Sequence, residues 1–100
     1  MNEVIRQGDV LLRAIAKPDK LGKVIAKGTV VLARGEVTGH AHVIEGAIAE
    51  FLVGGERVLW VEQPAPLTHQ EHTLVEVPPA WYVVETQREY TPQEIRRVAD

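Results

Sequence analysis

Apolar positions in this chain fall in short runs cut by glycine, proline and charged residues, not at the three-four spacing of an amphipathic helix. Residues 4–6 and 9–15 read as strand interrupted at Gly8, where a bulge or sharp bend is expected. Residues 17–22 combine proline, aspartate and glycine and predict a loop. Residues 23–26 predict a short strand, and Lys27-Gly28 a turn into residues 29–33, a β-branched apolar run suited to a buried strand. Residues 37–44 and 47–53 predict two further strands. Gly54-Gly55 then separates the second of these from residues 57–61, a hairpin signal. Pro64 and Pro66 predict an exposed edge or loop, because proline cannot donate to a sheet ladder. Residues 73–77 and 81–86 complete the strands, with a turn at Pro78-Pro79-Ala80. The chain then changes character. Thr91 as N-cap, Pro92 at the first helical position and Glu94 at the third predict a short helix over 91–99, packed on a sheet edge.

Seven or eight short strands and one terminal helix define an all-β class: a small antiparallel β-barrel or sandwich with a short C-terminal helix, residues 1–100 forming one domain. No βα alternation is present, which excludes dinucleotide-binding folds, and no nucleotide cofactor is expected. A net charge of -3 gives no pull toward nucleic acid or an anionic membrane surface. No apolar run approaches the ~20 residues of a spanning helix, and the N-terminus lacks a basic-then-apolar leader. Cytoplasmic is the resulting expectation. Apolar strands with few charges, such as residues 29–33, need their edges protected, so a homo-oligomer is expected, a dimer first.

The histidines alter this plain picture. All four stand in two tight pairs, His40 with His42 and His69 with His72. On a strand, His40 and His42 share a face with Cβ atoms ~6–7 Å apart, close enough to converge on one ion. Periodicity leaves open whether that face is solvated or lines the inside of a barrel. His69 and His72 oppose each other on a strand but converge on a turn, which the preceding prolines favour. Three or four imidazole ligands suit a divalent transition metal (zinc, nickel, copper or iron) over magnesium or calcium. Glu45 and Glu71 are the candidate catalytic carboxylates, as general base on a metal-bound water, or else as ligand or orienting partner. Against this stands the plainer reading that both pairs are solvated or hydrogen-bonded histidines.

The stretch His40-Ala41-His42-Val43-Ile44-Glu45, followed by Pro78-Pro79-Ala80-Trp81-Tyr82, resembles the two-motif layout of cupins. The resemblance implies a barrel whose first motif supplies two histidines and a glutamate to a metal. It departs from the family where Ala80 replaces the turn glycine and where Val83 or Val84 stands in place of a histidine. The chain is also similar to a group of small bacterial proteins sharing Gly-His-Ala-His, His-x-x-His and the stretch from Gln87 to Pro92, a group that brings no activity with it.

Three function classes follow. The first is a cupin-like metal-binding protein acting on a small polar molecule. The second is a non-enzymatic homo-oligomeric interaction module. The third, a nucleic-acid-binding barrel, is disfavoured by the acidic balance and the lack of an aromatic-basic stripe.

Overall fold

Every second residue of the strands points to one apolar interior, as the pleat requires. Val10 and Leu12, Val30 and Leu32, Ile44 and Ile48, Leu59 and Val61, Ala65 and Leu67, and Tyr82 form that core. Burying one such side chain, Leu59 or Ile44 for instance, contributes about 1.5–3 kcal/mol. The computed structural model describes residues 3–35 and 38–86. Among the described residues there are eight strands: β1 (Val4–Gln7), β2 (Val10–Ile15), β3 (Lys23–Arg34), β4 (Ala41–Val53), β5 (Glu56–Val61), β6 (Ala65–Thr68), β7 (Val75–Val77) and β8 (Ala80–Thr86). The expected all-β class is what the chain adopts. The expected helix over 91–99 lies outside the described residues.

All pairings are antiparallel, in the order β1-β2-β8-β5-β4-β6-β7, with β3 along the other side of β4. Strand β4 organises the sheet. Its C-terminal half pairs with β5 from Ile48↔Val61 to Val53↔Glu56, while Val43 and Ile44 pair with β6. Gly46 sits at the changeover. The sheet coils until its two ends meet: the Gln7 side-chain amide on β1 donates to Leu67 O on β6 at 2.9 Å and to Thr73 O at 3.0 Å. The result is a nearly closed barrel.

The opposite end of β4 carries an ion pair between buried Glu50 and half-buried Arg57. The Arg57 guanidinium also donates to Leu32 O at 2.7 Å and Val31 O at 2.9 Å. Those carbonyls lie where the β3–β4 register shifts between Val31 and Ala33, so the guanidinium satisfies acceptors beside a break in the ladder.

The hairpin at Gly54-Gly55 forms as expected. Val53 pairs with Glu56, and the two glycines have φ of 57° and 84°, the doubly positive geometry of a type I′ turn. Two expectations need correction. Residues 23–33 form one strand, not two, because the chain passes Lys27 and Gly28 through a bulge. Residues 41–53 are likewise continuous. Pro66 lies in β6 at an exposed edge position, one of the two placements expected: the β4 register begins at Leu67, so Pro66 pairs only with Glu76 of β7.

Candidate metal centre

The inward alternation of β4 runs from Ile48 through Ile44 to His42, which is only 4% exposed. The histidine face is therefore the inner one, at the mouth of the barrel. Above it, residues 69–74 link β6 to β7 and bring down the second histidine pair. The His42 and His69 ring centroids are 4.2 Å apart, His69 and His72 4.6 Å, and His42 and His72 5.7 Å. Each of the three offers a ligand nitrogen, and these atoms lie within 4.8 Å of one another. Burial grades outward: His42 is buried, His69 half-buried and His72 exposed. An adjoining cavity of about 420 Å³ is lined by His40, His42, His69, His72, Glu71 and Asp9, among others.

Hydrogen bonds fix how two of these rings sit. The His42 Nδ1 stands 2.8 Å from Gln7 Oε1. His69 Nδ1 accepts the backbone N–H groups of Glu71 at 3.0 Å and His72 at 3.3 Å, so in neutral His69 the ring proton is on Nε2. Both rings are held below the ordinary histidine pKa. For His42 the cause is burial, then the charge of His69, opposed in part by Asp9. For His69 it is burial, then the charge of His72. Each shift favours the neutral imidazole, the form that binds a metal.

The sequence-derived residues separate here. His42, His69 and His72 come together. His40 precedes β4 and lies at the cavity rim, edge-on to His69 with ring centroids 5.6 Å apart. Its Nδ1 is 3.6 Å from the Glu71 carboxylate. Glu45 is exposed on β4 opposite Thr29 and is not brought to the cavity. Sequence reasoning missed Gln7 and Asp9. A signal existed for Gln7. It falls two residues after Ile5, in step with an inward position, and a buried amide there demands partners.

Among the described residues no helix is long and apolar enough to cross a membrane. Comparison with curated proteins and with solved structures gave no match. Residues 6–87 do match a family described as a domain of unknown function, DUF8820. That span holds all eight strands but the first two residues of β1, and every histidine of the cluster. The chain belongs to the DUF8820 domain family.

Proposed function

We propose that this chain is a small metal-binding barrel, loosely cupin-like in plan, in which His42, His69 and His72 hold a divalent transition metal. The adjoining cavity then admits a small polar molecule. One observation carries the reading: three imidazoles from β4 and the β6–β7 loop converge beside a cavity, two of them, His42 and His69, shifted toward the neutral form. Zinc–nitrogen bonds of about 2.1 Å in tetrahedral geometry put ligand atoms ~3.4 Å apart. Closing from at most 4.8 Å is a movement of ~1.4 Å or less, within reach of the exposed His72. All-nitrogen ligation favours zinc, nickel, copper or iron. Glu71, paired with His40 at the rim, is the carboxylate placed to handle a proton on a bound molecule.

Calorimetric titration with each of these metals tests the reading, on wild type and on His40→Ala, His42→Ala and His72→Ala. Binding in wild type and His40→Ala, with loss in the other two, supports it. If no metal binds wild type, the reading fails. The interaction module then takes its place, favoured by exposed Val24, Ile25 and Leu52 along β3 and β4. Among the described residues β3 pairs with β4 alone, which leaves its outer edge free to meet a second copy. Light scattering at the monomer mass removes that alternative.

A further inference from the structure

The β1–β2 turn touches the histidine cluster with three consecutive residues. Gln7 is 3% exposed, and its amide nitrogen spends both hydrogens on the Leu67 and Thr73 carbonyls. That leaves its oxygen as acceptor, so His42 Nδ1 carries the proton that bridges the 2.8 Å to it. The neutral His42 ring must then present a bare lone pair at Nε2. Gly8 follows. A Cβ there would stand 2.6 Å from His72 Nε2 and 3.1 Å from His42 Cε1, so the glycine lets backbone pack directly against two of the rings. Asp9 comes last, its Oδ1 3.2 Å from His42 Nε2. A lone pair and a carboxylate oxygen at that distance repel unless a positive group lies on both. A shared proton is one such group and a metal ion another; two further histidines offering nitrogens within 4.8 Å of a His42 nitrogen favour the metal.

We propose that Gln7-Gly8-Asp9 completes the centre, with Asp9 as a fourth, carboxylate ligand and Gln7 as the residue that aims His42 Nε2 at the ion. This rests on the three-histidine reading and extends it to a His₃Asp set. Three neutral imidazoles and one carboxylate leave a divalent ion with a net single positive charge. The centre therefore attracts an anionic or strongly polar oxygen ligand from the cavity. Gln7 acts as outer-shell partners of ligating histidines do, by holding tautomer and ring orientation.

The test uses cobalt(II) and zinc as probes on wild type, Asp9→Asn and Gln7→Met. Zinc affinity should fall more than about tenfold in Asp9→Asn, with a changed cobalt absorption spectrum, and about 10–100-fold in Gln7→Met. Long-range ¹⁵N–¹H spectra of metal-free wild type should show His42 as the Nδ1–H tautomer. The Asp9 carboxyl ¹³C resonance should move when zinc is added, a reading that needs no variant to fold. Wild type that binds zinc with Asp9 unmoved and Asp9→Asn unimpaired overturns the fourth ligand and leaves the three histidines standing. Wild type that binds neither metal overturns both readings. An Nε2–H tautomer at His42 overturns the role of Gln7.

Discussion

Replacing Gly8 with alanine separates a cost to the fold from a cost to the site. Gly8 has φ of 58°, a left-handed conformation that costs a residue with Cβ roughly 1–2 kcal/mol. Gly54, in the β4–β5 turn, has φ of 57° and nothing within 4 Å of the added methyl. The two alanine variants therefore share a backbone penalty, and only Gly8→Ala pushes a methyl against His72 and His42. Each 1 kcal/mol lowers Tm by about 4–8 °C in a domain of this size. Metal-free, Gly54→Ala gives the backbone cost alone. Gly8→Ala adds whatever the His72 ring fails to relieve by swinging into solvent. Zinc discriminates further. At a free concentration of ~100 Kd it stabilises wild type by about 2.7 kcal/mol. A tenfold weaker site keeps only ~1.4 kcal/mol at that concentration. Thermal melts with and without zinc should give the full shift in wild type and Gly54→Ala, and half or less in Gly8→Ala. Equal zinc shifts in all three would refute the claim that the turn backbone packs against the site.

Four further outcomes are expected. The Tyr82 hydroxyl, buried, near Glu3 and donating to Pro78 O at 2.7 Å, is pushed up to about 12 from 10.0. A raised folded-state value means stability is full below pH 10.0 and is lost as pH rises toward 12. Alkaline melts should show this loss in wild type and not in Tyr82→Phe, and tyrosinate absorbance should show one late-ionising tyrosine. Glu50→Gln leaves Arg57 without its carboxylate; with Arg57 35% exposed and still donating to the Leu32 and Val31 carbonyls, denaturant unfolding should show a loss of about 1–3 kcal/mol, below the range for fully buried pairs. Because His42 and His69 are depressed, the unfolded chain takes up protons first as pH falls through 6.5, so metal-free stability declines on the acid side. Melts that do not change across that window in wild type, or change equally in His42→Ala, contradict it. Finally, neutral His69 has its proton on Nε2 and its Nδ1 lone pair taken by two amides, so zinc at either nitrogen ends both amide bonds: at Nδ1 it takes the lone pair, at Nε2 it sends the proton to Nδ1. The Glu71 and His72 amide resonances should then shift among the most on titration.

Legibility from the sequence followed the range of the interaction. Gly54-Gly55 could be read because a type I′ turn depends on its own two residues. The breaks read at residues 27–28 and 46 were not breaks, because a glycine in a strand interior marks a bulge as readily as a turn, and only the partner strand decides. The inward face of β4 could not be chosen from alternation alone. Val43 and Ile44 are both apolar, and the choice fell to Leu67 and the other interior residues packed against Ile44. The histidine pairs were visible as pairs. Their merger into a triad excluding His40 depends on the β6–β7 loop folding over the start of β4, about 30 residues away in the chain. Asp9 and Gln7 were hidden in the same way, and Gln7 by a longer separation, since it meets Leu67 across 60 residues.

The position of the cluster also ties binding to the integrity of the barrel. Among the described residues β1 and β7 are the two ends of the strand order, and no backbone ladder joins them. The Gln7 amide spans the seam, bonded to Leu67 O, Thr73 O and His42 at once, beside the Asp9–His42 contact. Each of those hydrogen bonds contributes only about 0.5–1.5 kcal/mol. His42 on β4, His69 and His72 on the β6–β7 loop, and Asp9 on the β1–β2 turn straddle that seam. On the proposed four-ligand reading, an ion gripping all four groups would clasp the barrel shut and bind the closed form alone. Its binding free energy is then added to the closure of the seam. The hydrogen-exchange protection of β1 and β7, the two ends of the strand order, should therefore rise more with ligand than that of the central pair β5 and β8, already held on both sides.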